Sequence, residues 1–112
     1  MPIEFEGKTI ETNDSGYLLN VEDWSTELAN LMATAESITL TDRHWDLIKY
    51  LREEYFENRQ NQPNTRTIGK AMSAAWGEKV SQKELYELFP GDPSKQGGRI
   101  AGLTESRRKG GY

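Results

Sequence analysis

Apolar and charged residues alternate from Ile3 to Thr12 around Gly7-Lys8, with Ile3 and Phe5 on one face, and this period of two predicts a short β-hairpin over about 3–12. Asn13-Asp14-Ser15-Gly16 reads as a turn, after which Tyr17-Leu18-Leu19 extends the pairing or packs beneath it. At Trp24 the period lengthens to that of a helix. Ser25 is suited to cap a helix over about 25–35 whose apolar stripe is Leu28, Leu31, Met32 and Ala35. Thr41 is a second N-cap, with Leu40 and Trp45 as a hydrophobic staple. Trp45, Ile48, Leu51, Arg52, Tyr55 and Phe56 then carry the period through the longest helix, about 42–58. The opposite side of that helix, with Asp46, Lys49, Glu53, Glu54 and Glu57, reads as a solvated face.

The polar run Asn58 to Asn64 is a loop, and Asn64 or Thr65 starts a helix over about 65–76 with Ile68, Ala71, Met72, Ala75 and Trp76 on one side and Gly77 as its C-terminal cap. Ser81-Gln82-Lys83-Glu84 has the form of a capping box, flanked by Val80 and Leu85, and opens a helix over about 82–89 that Pro90 stops. Gly91-Asp92-Pro93 is a turn, with Pro93 placed as the first residue of a last short helix, about 93–100. From Thr104 to Tyr112 apolar periodicity is lost, so 104–112 reads as a mobile basic arm following a single domain over 1–103. The pattern as a whole predicts a mainly α fold: a small bundle of about five helices carrying an N-terminal hairpin.

A chain of 112 residues with 35% hydrophobic side chains supports one modest core. No window approaches a membrane span, and the first residues have neither the basic flank nor the apolar stretch of a targeting segment, so the expectation is a soluble cytoplasmic protein that engages no membrane. Without a secretory signal, the Asn13-Asp14-Ser15 sequon reads as accidental. The chain contains no cysteine and one histidine, His44. Disulfides, thiolate metal sites and nucleophilic thiols are therefore excluded, imidazole-rich zinc sites are too, and neither metal nor cofactor is expected. His44 lies in the first turn of its helix, where the macrodipole disfavours imidazolium, and reads as a packing or capping residue rather than a base.

Charge is divided unevenly. Residues 1–57 hold four basic and thirteen acidic side chains and residues 58–112 ten basic and five acidic, so halves of −9 and +5 make up the net −4. Some of this asymmetry is complementarity within the fold, and the rest can steer an acidic partner toward the C-terminal half. Lys95 and Arg99 are four apart on the last helix, and with Arg66, Lys70, Arg59 and the arm's Arg107, Arg108 and Lys109 they are candidates for binding phosphate or an acidic surface. Their bland alternative is a charge-solubilised tail. The helices at 65–76 and 82–89 resemble a helix-turn-helix, but Glu84 and Glu87 beside Lys83 suit a DNA groove poorly, and packing around Trp76, Leu85 and Leu88 explains the same pattern. Gly97-Gly98 and Gly110-Gly111 fit no phosphate loop.

Nearly the whole chain resembles the DsrC/TusE family, the gamma-subunit-like proteins of dissimilatory sulfite reductase and the sulfur-relay proteins of tRNA 2-thiolation. The resemblance runs through Phe5-Glu6-Gly7-Lys8, Gly16-Tyr17-Leu18, Trp24, Leu40, His44-Trp45, Leu51-Arg52, Tyr55, Lys70-Ala71-Met72 and Tyr86. It continues through Pro93 and Lys95, and its specific part is the Leu88-Phe89-Pro90 block at its separation from Ile100-Ala101-Gly102-Leu103. It implies an orthogonal helical bundle with a hairpin and a flexible C-terminal arm. In that family the arm ends in a penultimate cysteine that carries sulfur, and some members have a second cysteine before the Ile-Ala-Gly block. Here the second position is Gly98 and the carrier position Lys109 or Gly111, according to the direction of counting. The prolines usual after Gly-Leu are replaced by Thr104-Glu105-Ser106. The resemblance thus implies a non-catalytic binding or regulatory protein of sulfur metabolism, docking sulfite-reductase-like or sulfur-relay proteins. The alternative is a nucleic-acid-binding regulator or a tRNA-contacting component of the relay.

Overall fold

The computed structural model describes residues 3–104. Strand β1 (Ile3–Phe5) pairs antiparallel with β2 (Lys8–Ile10), with Ile3 opposite Ile10 and Phe5 opposite Lys8. Glu6 and Gly7 both take positive φ, 48° and 77°, the mirror-image turn whose twist matches a two-stranded ribbon. The pairing is shorter than the alternation suggested, resuming only as a single bridge between Thr12 and Leu18. Asn13 explains the interruption, since its side-chain oxygen accepts from the backbone N–H groups of Ser15 and Tyr17 and closes a tight local turn.

A 3-10 turn at Val21–Asp23, unannounced by the hydrophobic period, leads into α1 (Thr26–Ala35), α2 (Asp42–Glu57), α3 (Thr65–Trp76), α4 (Gln82–Leu88) and α5 (Pro93–Ile100). The starts are set by short polar side chains accepting from otherwise unpaired amides: Ser25 from Leu28, Asn64 from Thr67, Ser81 from Glu84, and Asp92 from Ser94 and Lys95. At α2 the cap is formed with His44, whose Nδ1 accepts from the Thr41 backbone N–H at 3.0 Å. Gly77 ends α3 at φ 68°.

The stripes face the core with small rotations from the sequence reading. In α1 the buried side is Leu28, Ala29, Met32 and Ala33, while Leu31 is 41% exposed. In α2 it is His44, Leu47, Ile48, Leu51 and Tyr55, while Phe56 is 51% exposed. The largest departure is α5, which has little apolar pattern yet packs against every other helix and buries Gln96, Gly97, Gly98 and Ile100. Gly97 permits this, because a Cβ there would stand 3.2 Å from Leu51 and 3.3 Å from Leu47. Phe89, Leu85, Ile68, Ile100 and Leu103 close the core around α5, each fully buried and each contributing about 1.5–3 kcal/mol of transfer free energy.

Candidate docking surface at the end of the last helix

Helix α5 ends in a clasp made by residues distant in sequence. Its final carbonyls lack intrahelical partners, and side chains supply them: the Trp24 indole donates to the Ile100 carbonyl at 2.8 Å and Arg52 donates to that of Ala101 at 2.7 Å. The Arg52 guanidinium lies 3.9 Å from the centre of the Trp24 ring and 4.9 Å from that of Phe56, so it is stacked between two aromatic faces. Burial lowers its pKa from the usual guanidinium range, but a guanidinium remains a cation at neutral pH. Gly102 sits at φ 78°, and a Cβ there would overlap the Trp24 indole. Beyond it, Thr104 is held through its hydroxyl by Tyr55 at 3.2 Å and through its carbonyl by the Gln62 amide at 3.1 Å. Trp24, Arg52, Tyr55 and Gln62 therefore fix the segment from Ile100 to Thr104 against the body.

Beside the clasp, Trp24, Trp45, Arg52 and Phe56 line a groove of about 470 Å³ that also borders Lys49, Glu53 and Glu57. The signal for this arrangement was Arg52, a cation inside the apolar period of α2. Spacing alone could not reveal what it grips.

Of the two positions at which a thiol would be expected, Gly98 lies buried within α5, where a Cβ would meet nothing within 4 Å. The space for a side chain is present and the side chain is not. Lys109 and Gly111, with Arg107 and Arg108, lie outside the described residues.

The expected cations fall into two groups. Arg99 is bound within the fold, its Nη2 and Nε donating to the Glu36 carboxylate at 2.5 and 3.0 Å, while Gln96 donates to the same carboxylate at 2.7 Å. Burial alone would raise the Glu36 pKa, but hydrogen bonds from Arg99 and Gln96, together with the Arg99 charge, outweigh it and hold the carboxyl below 4.5. Lys95, one turn before Arg99, contributes its backbone carbonyl to the Tyr17 hydroxyl at 3.2 Å. Arg66 and Lys70 lie on the exposed side of α3, apart from α5, and the structure adds Lys79 to them. No pattern in the sequence pointed to Lys79.

His44 is 6% exposed, with Nδ1 accepting from Thr41 and Nε2 therefore carrying the proton that it donates to the Leu88 carbonyl at 2.8 Å. Its ring meets Phe89 edge-on at 5.1 Å. Desolvation lowers its pKa below 6.5, against the Leu88 hydrogen bond that raises it, so the neutral ring ties α2 to the end of α4. Among the described residues, no three His, Asp or Glu side chains converge as a metal-binding group, and no helix is long and apolar enough to cross a membrane.

The family model described as "DsrC like protein" matches residues 4–108. The chain is 43% identical over 104 residues to the sulfurtransferase TusE of Yersinia pestis, covering 92% of this chain and 94% of that one. It is also 43% identical over 102 residues to the TusE of Escherichia coli K12, covering 90% and 93%. Among solved structures, that of Allochromatium vinosum DsrC superposes with a TM-score of 0.85 at 39% identity over 97% of this chain and 99% of the other. The oxidized gamma-subunit of the dissimilatory sulfite reductase from Archaeoglobus fulgidus does so at 0.87 and 31% identity, with the same coverage.

Proposed function

The chain belongs to the DsrC/TusE family and lacks cysteine, and from that premise we propose that it serves sulfur metabolism as a non-catalytic docking and regulatory protein for sulfite-reductase-like or sulfur-relay partners. Sulfur carriage needs a thiolate to accept the sulfur atom, and no other side chain in this chain supplies one. The observation that carries the reading is the coexistence of a family body, clasped at the end of α5, with a chain that contains no thiol. Trp24, Arg52 and Tyr55 hold Ile100, Ala101 and Thr104 against the body, while Gly98 leaves the space beside it unfilled. A body that keeps its shape without its chemistry can occupy a partner's docking site and withhold sulfur from it.

Two measurements test this. Incubated with a cysteine desulfurase and isotopically labelled cysteine, the chain is expected to show no added sulfur by intact-mass spectrometry. A stoichiometric adduct would overturn the reading. In a transfer assay reconstituted with a cysteine-bearing TusE or DsrC from the same cell, the chain is expected to slow sulfur delivery competitively, and a rate indifferent to a large excess of the chain would reject docking.

A further inference from the structure

Helix α2 carries an apolar trough on either side of its exposed ridge. On one side Trp24, Trp45 and Phe56 wall the groove of about 470 Å³ beside the clasp. On the other, Tyr50, Ala71, Met72, Ala75 and Trp76 line a groove of about 330 Å³ between α2 and α3. Asp46, Lys49 and Glu53 border both. They are spaced three and four residues apart, about 10 Å along the helix from first to last, so they form one row of charge between two troughs. Glu57, one turn further on, continues the row beside the first groove.

The aromatic walls are ordered before anything enters. Phe56, 51% exposed, is held by Tyr55, whose ring it meets edge-on at 5.2 Å, and by the Arg52 guanidinium at 4.9 Å. Trp76 is fixed by the Arg43 guanidinium 4.3 Å over its ring and by its own indole N–H, which donates to Asp46 at 2.8 Å. Side chains already ordered lose little entropy on association, which suits them as anchors. The charge of the ridge is unanswered. Asp46, Glu53 and Glu57 outnumber Lys49, and none of the four joins an ion pair among the described residues. Arg52 does not offset them, being engaged by the Ala101 carbonyl and two rings.

Resting on the docking role proposed above, we propose that this face of α2 receives a protein partner through a basic segment, with lysines or arginines over the ridge and apolar side chains in the troughs on both sides. The carboxylates repel nucleic acid. A second copy related by a two-fold axis would set the same acids against one another. The chain's own residues 105–112 supply Arg107, Arg108 and Lys109 but a single large apolar side chain, Tyr112, too few for two troughs.

The test is the reconstituted transfer assay with a cysteine-bearing TusE or DsrC and its partner, in which this chain is the competitor. Glu53→Lys/Glu57→Lys and, separately, Phe56→Ala, each checked by thermal melting to be folded, are expected to raise the inhibition constant about tenfold or more. The hairpin control Glu6→Lys/Glu11→Lys changes the net charge equally and is expected to leave that constant nearly unchanged. A photo-crosslinking residue in place of Phe56 is expected to capture a peptide of the purified partner with Lys or Arg among apolar residues, identified by mass spectrometry. Full competition by the α2 variants, an equal loss in the hairpin control, or capture of an acidic peptide, of residues 105–112 or of a second copy would each overturn the proposal. The unaltered chain separates the two readings. If it competes and the α2 variants compete equally, docking stands and this surface falls; if it does not compete, both fall.

Discussion

At the end of α5, cations are held inside the fold: Arg52 is stacked between Trp24 and Phe56 and bonded to the Ala101 carbonyl, and Arg99 is locked to Glu36. Along α3 and the following turn, Arg66, Lys70 and Lys79 line an acid-free groove. The two regions carry the same residue types with opposite consequences. Around α5 a positive charge is structural because aromatic faces, a carboxylate and unpaired carbonyls surround it. On α3 it remains available because no acid lines the groove and the nearby Glu78 is paired with Arg43. Positive charge in a sequence therefore indicates binding only where the fold leaves it unanswered.

Substitutions at the clasp should separate the regions most sharply. Gly102→Val combines an unfavourable φ with overlap against Trp24 and is expected to destabilise by about 3 kcal/mol or more, measured by urea unfolding. A loss below about 0.5 kcal/mol would mean that the clasp is not rigid. Arg52→Ala removes a hydrogen bond to a carbonyl and a doubly stacked guanidinium, and about 2 kcal/mol is expected. Arg52→Lys, which keeps the charge, should recover less than half of that loss if stacking matters as the geometry indicates.

Arg99→Ala leaves Glu36 without its cationic partner, keeping only the Gln96 hydrogen bond, with an expected cost of about 1–3 kcal/mol that Glu36→Gln in the same chain partly relieves. The pH dependence has a defined sign. With the Glu36 carboxyl held below 4.5 in the fold, its contribution is complete above that pH and is lost as pH falls through the folded value. His44 acts higher on the scale: its folded pKa lies below 6.5, so stability declines as pH drops from 6.5 and the unfolded chain takes up the proton first. A melting-temperature profile that is flat between pH 7 and 5 would contradict the buried neutral imidazole. At the small end, Lys70→Ala is expected to move stability by less than about 0.5 kcal/mol. A larger effect would show that the groove cations serve the fold as those around α5 do.

Element positions were largely legible, because Ser25, Thr41, Asn64 and Ser81 act through hydrogen bonds to residues three positions away and Pro93 fixes its own φ at the start of α5. Stripe orientation was less so. Leu31 and Ala29 are equally plausible as core residues by period, and only the packed neighbours of α1 select Ala29. Arg52 stood in the apolar period of α2 with no role legible for it, and Arg99 gave no sign that its partner is Glu36, 63 positions away.

The absence of a thiol, the helical periods and the family blocks from Leu88 to Leu103 are properties of the chain itself, and they sufficed to identify a cysteine-free DsrC/TusE-like body. Tertiary structure alone decided that α5 is central, that Trp24 and Arg52 cap its last carbonyls, and which cations stay available. The physical reason is range. Periodicity and capping act over one or two helical turns, whereas charge pairing and the capping of a helix end by distant side chains depend on which surfaces meet.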